Sequence, residues 1–201
     1  MKRNTVFKIN NGNGKGKEYS EYGLLKFEGE YLNRERNGKG KEFDEYEKLK
    51  FEGEYLNGER NGKGKEYVVE KLEFEGEYLN GKRYGEGKEY FINNGKLKFE
   101  GEYLNGKKNG KGKEYYINGK LKIEGEYLNG KKWNVKVYNM NGNIEFKIEN
   151  GFGKGKEYDD NGELRFEGEY LNGEINGKGK EYDDNGELRF EGKKKWKRKR
   201  I

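Results

Sequence analysis

The sequence predicts an all-β protein: an elongated single-sheet meander of about eight stacked β-hairpin repeats of about 24 residues each. Three observations point there. Two motifs alternate along the chain: "GKGKEY" or a near variant ends at Tyr19, Phe43, Tyr67, Tyr90, Tyr115, Tyr158 and Tyr182, and "FEGEYLN" or a variant starts at Phe27, Phe51, Phe74, Phe99, Ile123, Phe166 and Phe190. A fixed period of this length marks a repeat architecture. Within the second motif Leu97, Phe99, Gly101 and Tyr103 alternate with Lys98, Glu100 and Glu102, the period of a half-buried strand. Asn-Gly pairs at 94–95, 118–119, 161–162 and 185–186 punctuate the strands, and proline is absent.

The chain opens on "FKINNGNGKGKEY", Phe7 to Tyr19, a hairpin that lacks the second motif. Regular units follow. In the unit from Leu97 to Lys122, "NGKKNG" is a turn, "GKGKEYY" a second strand and Asn118-Gly119 a type I′ hairpin signal. The expected register sets Tyr103 opposite Gly112, a ring over bare backbone, and Glu102 opposite Lys113, an opposite-charge pair. Strict alternation puts Tyr115 on the face opposite Phe99 and Tyr103. Either both faces carry an apolar stripe or a bulge re-aims the second strand. A lone hairpin buries too little apolar surface to offset its chain entropy, so the units must stack on one another.

An irregular unit occupies about 131–158, and its segment Phe146 to Tyr158 aligns with Phe7 to Tyr19, so one specialised unit heads two arrays. Trp133, Val135, Val137, Met140 and Ile144 make it the most apolar region of the chain. It is either a spacer with a better-packed core, or a kink or partner-docking patch built on Trp133, Val135, Val137 and Met140. The array is expected to cover residues 1–192, with 193–201 a basic, disordered tail.

Lysine beside glycine is also how phosphate loops are built. A Walker loop needs Ser or Thr after its Lys to hold magnesium, and here Glu or Gly follows, so the glycines read as architecture. The chain has no Cys and no His, which excludes disulfides, Cys/His zinc sites and Ser-His or Cys-His nucleophile pairs. The Glu residues sit at repeated positions, so no unique acid/base pair stands out. The expectation is a non-enzymatic protein with no catalytic residue, no cofactor and no metal. No segment is apolar enough for a signal peptide or a membrane span, which points to an intracellular, cytoplasmic protein.

The net charge of +6 belongs to the tail: seven Lys and Arg fall in the last nine residues, and without them 37 basic face 38 acidic residues. Lys193, Lys194, Lys195, Trp196, Lys197, Arg198, Lys199 and Arg200 are the candidate binding element for an anionic surface. Clustered cations neutralise phosphates on lipid or nucleic acid, and a Trp stacks on bases or sits at a membrane interface. The same run fits a nuclear-import signal, and equally a solvated terminus that keeps a repetitive chain soluble.

"FEGEYLNGKRYGEGKEY", Phe74 to Tyr90, resembles the MORN repeat, whose pattern is aromatic-Glu-Gly-x-aromatic, then Asn-Gly-Lys, then Gly-x-Gly. "KEYYINGKLK", Lys113 to Lys122, is similar to the variant MORN repeats of bacterial proteins related to the YwqK antitoxin. The likeness covers nearly all of residues 7–192. It implies a rod of stacked hairpins and a non-catalytic role: scaffolding of protein partners, binding of membranes or phosphoinositides, or dimerisation. The chain departs from the classical repeat in carrying Tyr where Trp is common and Lys-Glu where an apolar-aromatic pair is common. The expected function is a scaffold or adaptor for protein–protein interaction, with the tail adding attraction to anionic surfaces. The alternatives are a membrane or phosphoinositide adaptor, and nucleic-acid binding or nuclear import through the tail. Terminal hairpins with open edges are expected to allow a homodimer.

Overall fold

The computed structural model describes residues 4–10 and 12–195, which form seventeen β-strands and no helix. They divide into two units. Unit 1, residues 1–95 with 104–106, contains β1 (Asn4–Asn10), β2 (Asn13–Tyr19), β3 (Leu25–Leu32), β4 (Glu35–Phe43), β5 (Leu49–Leu56), β6 (Glu59–Val68), β7 (Lys71–Leu79) and β8 (Lys82–Tyr90). Unit 2, residues 96–103 with 107–201, contains β9 (Leu97–Leu104) except its last residue, Leu104, which belongs to unit 1, together with β10 (Lys107–Tyr115), β11 (Leu121–Leu128), β12 (Lys131–Tyr138), β13 (Ile144–Glu149), β14 (Phe152–Tyr158), β15 (Leu164–Leu171), β16 (Glu174–Tyr182) and β17 (Leu188–Lys195). Within each unit every strand pairs antiparallel with its neighbour in sequence, the meander that the alternating motifs predict.

Two kinds of turn connect the strands. Asn57 and Gly58 both have positive φ (51° and 85°), the requirement of a two-residue type I′ turn, and the same Leu-Asn-Gly step recurs at 80–81, 105–106, 129–130 and 172–173. The type I′ geometry expected at Asn118-Gly119 is not there: only the glycine has positive φ. That loop is longer, closed by Tyr116 N to Lys120 O (2.8 Å) and by Lys120 N donating to Asn118 Oδ1 (2.9 Å). In related loops Asp159 Oδ1 accepts from the backbone N–H of both Asn161 and Glu163, so a side chain does the work of a second left-handed residue.

The register differs from expectation by two residues. Glycine faces glycine: Gly53 lies opposite Gly64 and Glu52 opposite Lys65. In β9 and β10 a methyl group on Gly101 would lie 2.6 Å from Gly112 Cα, so Gly101, and not Tyr103, faces Gly112. The ring over this bare backbone is the phenylalanine two residues earlier, since a Cβ on Gly112 would meet Phe99 Cζ at 2.7 Å and Tyr127 Cε2 at 3.3 Å. The reason for glycine therefore stands, with Phe99 as the ring above it.

Tyr115 keeps its strict alternation. Its hydroxyl donates to Glu100 Oε1 (2.6 Å), on the face away from Phe99. The bulge exists, but it falls across from Tyr115 in β11, where Glu114 faces Ile123 and Tyr115 faces Leu121. The extra residue is Lys122, which turns inward and is buried.

Each unit thus has a ring face and an opposite face. In unit 1 the ring face is a continuous row of Phe27, Tyr31, Phe51, Tyr55, Phe74 and Tyr78, each at most 5% exposed. Rings meet edge to face within a strand (Phe51–Tyr55, 5.7 Å) and between repeats (Phe27–Tyr55, 5.1 Å; Phe51–Tyr78, 5.2 Å).

The irregular hairpins are compensated exchanges. Val135 stands opposite Gly125 and Val137 opposite Ile123, where the regular units have Gly64 opposite Gly53 and Glu66 opposite Phe51. The smaller Ile123 leaves the room that Val135 fills. Ile9 faces Gly14 in β1–β2 as Ile148 faces Gly153 in β13–β14, so the two segments that align in sequence also share a register.

Candidate interaction surfaces

The glycine-lysine motif already holds an anion, supplied by the chain itself. In "RNGKGKEY" the backbone N–H of Lys63 donates to Glu54 Oε2 at 3.0 Å. Lys39, Lys111 and Lys178 donate in the same way to Glu30, Glu102 and Glu169. Gly62 has a φ of 91°, and a Cβ there would strike the Glu54 carboxylate. The glycine admits a carboxylate where a phosphate loop would admit a phosphate, so the chemistry is anion recognition turned inward.

A ladder of part-buried ions runs over the ring face. In unit 1 Arg36 bridges Glu18 (2.9 Å) and Glu42 (3.6 Å), Arg60 bridges Glu42 (2.6 Å) and Glu66 (3.4 Å), and Arg83 bridges Glu66 (2.5 Å) and Glu89 (3.3 Å). Each guanidinium also covers a ring, with Arg60 Cζ 4.0 Å from the Phe51 centroid. The tyrosine of each following repeat closes the rung: Tyr55 donates to Glu42 at 2.8 Å and Tyr78 to Glu66 at 2.6 Å. Burial raises the pKa of Glu42 and of Glu66, but the hydrogen-bonded arginine and tyrosine outweigh it and hold both carboxyls below the usual range. In unit 2 lysine replaces arginine: Lys108 reaches Glu114 (3.1 Å) and Lys132 reaches Glu157 (2.6 Å). Burial pushes Glu157 up, yet Lys132, with help from Tyr170, holds it at about 2.

The opposite face is the accessible one. Cross-strand pairs Lys41–Glu52 (3.7 Å) and Lys65–Glu75 (3.5 Å) repeat along it, half-exposed and weak individually. Tyr67 donates to Glu52 (2.7 Å), and burial together with that carboxylate pushes its hydroxyl up to about 12. Beside the tight turns, Leu32, Leu56, Leu79 and Leu104 occupy one repeated position in unit 1, each 41–48% exposed. At the other strand ends of unit 1, Tyr22 and Tyr46 are 82% and 75% exposed. They flank a shallow cleft of about 460 Å³ that Lys26, Phe43 and Lys50 also line.

The residues singled out from sequence are placed as follows. β17 continues through Lys193, Lys194 and Lys195, and Lys193 is exposed opposite Lys178. Trp196, Lys197, Arg198, Lys199 and Arg200 lie outside the described residues. Val135 and Val137 are core residues, 3% exposed each. Trp133 is half-buried against the Asn150-Gly151 turn, and its carbonyl accepts the Gly151 N–H at 2.8 Å. Met140 sits in a turn, where Gly162 approaches its side chain. The four residues of the docking patch are therefore not brought together on one surface.

The ladder escaped the sequence reading. Its signal is an Arg or Lys six residues before each part-buried Glu, at 36/42, 60/66, 83/89 and 108/114. In so charged a chain that spacing reads as a solvated face. Among the described residues no group of three or more His, Cys, Asp or Glu is placed to hold a metal, and no helix is long and apolar enough to cross a membrane.

Comparison with known proteins agrees with the repeat geometry. The family model for the MORN repeat matches residues 51–67, 74–96, 99–120 and 166–187. No curated protein matches the chain.

Proposed function

We propose that this chain, which carries MORN repeats, is a non-catalytic scaffold that binds a protein partner along the face opposite its rings. The observation that supports this reading is the row Leu32, Leu56, Leu79 and Leu104, left half-exposed at the same place in successive repeats while the phenylalanines are sealed. Apolar side chains spaced regularly within a charge-paired surface offer contact area without a catalytic constellation, which is what an interaction module needs. The ring face serves structure, since its cations and carboxylates satisfy one another. Replacing the four leucines with serine tests the proposal. Melting should change little, because these side chains are half-exposed, while a partner captured saturably by the native chain should be lost. Equal capture by both proteins would sink the leucine row as the binding surface.

The basic end adds a second, weaker attraction to anionic surfaces in this reading, supported by the exposed Lys193, which no carboxylate faces across the strand pair. Liposome flotation of the full chain and of a chain ending at Gly192 tests it with neutral and anionic vesicles at low and physiological salt. Flotation of the full chain alone, only on anionic vesicles and weakened by salt, is the expected result. Failure of both to float would leave protein binding as the sole reading.

A further inference from the structure

The loops that join β2 to β3 and β4 to β5 are built alike. The Ser20 N–H donates to the Leu24 carbonyl (2.8 Å) and the Asp44 N–H to the Lys48 carbonyl (2.9 Å), with Tyr22 and Tyr46 at the two tips. Side chains fix each loop: Ser20 Oγ accepts the Leu24 N–H (3.1 Å), and Asp44 Oδ1 accepts the N–H of Tyr46 (2.8 Å) and of Lys48 (2.9 Å). Glu47 ties one loop to the other, its Oε1 accepting the Leu25 N–H at 2.7 Å. The cleft of about 460 Å³ that both loops line is therefore pre-formed, which spares a ligand the cost of ordering its site.

The cleft is open for a reason written in the sequence. The residue after each "GKGKEY" or variant begins a loop. In later repeats it is Phe91 or Tyr116, both buried, and the Tyr116 ring lies 5.4 Å from Lys122 Nζ. Here it is Ser20 or Asp44, so the ring of this position is missing beside Lys26 and Lys50, the bulged residues that match Lys122 in register. Among the described residues neither lysine forms an ion pair or a hydrogen bond, and neither does the cleft's Glu45. Two ammonium groups, the Glu45 carboxylate and the second oxygen of Asp44 thus stand beside two tyrosines that are mostly exposed.

Two cations against two carboxylates leave no net charge to draw in a polyanion, and so charged a rim does not suit an apolar peptide. Donors and acceptors interleaved with aromatic rings suit a sugar. Its hydroxyls both donate and accept, and its C–H face lies against the electron-rich face of a tyrosine. The two loops are two strand spacings apart, about 10 Å, so one sugar ring does not reach both tyrosines and a short chain of them does.

We infer that this cleft is a binding site for a neutral oligosaccharide, with Tyr22 and Tyr46 stacking on separate rings of it and Lys26, Lys50, Asp44 and Glu45 holding its hydroxyls. The site lies at the strand ends away from the leucine row, so either can fail without the other.

Saturation-transfer NMR on the full chain tests it, with cellotetraose, chitotetraose, maltotetraose and mannotetraose each at about 5 mM, enough to show a millimolar Kd. Adenosine monophosphate, a planar anion, is the comparison ligand. The expected result is transfer to at least one tetrasaccharide, with affinity at least about tenfold weaker in Tyr22→Ala/Tyr46→Ala. Melting of that variant should match the native chain, because both side chains are exposed. No transfer to any tetrasaccharide, transfer to adenosine monophosphate alone, or equal affinity in the native chain and the variant overturns the site. Should the tyrosine variant fail to fold, Lys26→Met/Lys50→Met replaces it, both lysines being exposed. The same tenfold loss then supports the site, and unchanged affinity overturns it.

Discussion

At Gly53 a methyl group has no space: it would lie 2.7 Å from Gly64 Cα, from the Lys63 carbonyl oxygen and from Phe51 Cζ. Gly53→Ala is expected to lower stability by about 1–3 kcal/mol in urea melts, the cost of overpacking a site that cannot relax. An unchanged midpoint would show that the ring is not seated on the glycine pair. Glu157 carries a different kind of dependence. Its carboxyl titrates at about 2 against an ordinary 4.5, so the stability it contributes is complete above about pH 4.5 and drains away as the pH falls towards 2. Lys132→Met leaves that part-buried carboxylate with Tyr170 as its remaining hydrogen-bond donor and is expected to cost about 1.5–3 kcal/mol at pH 7. It should also flatten the acid limb of stability between pH 4.5 and 2, which chemical melts at several pH values would show. Alternation identified which residues share a face, including Tyr115. It could not identify their partners, because sliding a strand by two residues keeps every side chain on its face. That is why alternation alone matches Tyr103 with Gly112, although Gly101 is the true neighbour.

The irregular hairpin is an element with its own internal logic. Ile123 and Val135 occupy the places that Phe and Gly hold elsewhere, so neither can revert alone. Ile123→Phe is expected to destabilise unit 2 by about 1–3 kcal/mol, and Ile123→Phe/Val135→Gly to recover most of the loss. Simple additivity in a double-mutant cycle would refute the exchange. Asp160 ties the same region together: it pairs with Lys98 (3.6 Å) and Lys122 (3.2 Å), and its carbonyl accepts the Ile117 N–H at 2.9 Å. Lys122 is the bulged residue and is buried, so Asp160→Ala should cost about 2–4 kcal/mol, read in a thermal or urea melt. The composition of this hairpin announced a core, since Val135 and Val137 stand out in a charged chain. What it concealed was the salt bridge, because Asp160 is one of two adjacent aspartates in a loop 38 residues away from Lys122.

For the molecule as a whole, the repetition that made the fold legible made individual sites illegible. Every Glu of the second motif looks alike in sequence. Yet Glu52 sits in the exposed Lys pairing while Glu54 caps the glycine turn of its partner strand. The rungs are satisfied by identical groups from successive repeats, so one repeat can be removed without stranding a charge. Excising residues 51–73 brings Arg83 and Tyr78 to Glu42 in place of Arg60 and Tyr55. The shortened chain is expected to fold cooperatively with a Tm lowered by less than about 10 °C. Excising a further twelve residues would break the register and is expected to abolish folding, which circular dichroism would report.

The meander has one more consequence, a mechanical one. Because each strand of unit 1 is bonded to its neighbours in sequence, tension on the two ends of that unit peels strands off one after another and never shears a long edge all at once. Each released repeat of about 24 residues pays out roughly 80 Å of extended chain. Force spectroscopy of such a tether should show a low sawtooth of evenly spaced steps, a spring that lengthens by whole repeats and rewinds the same way.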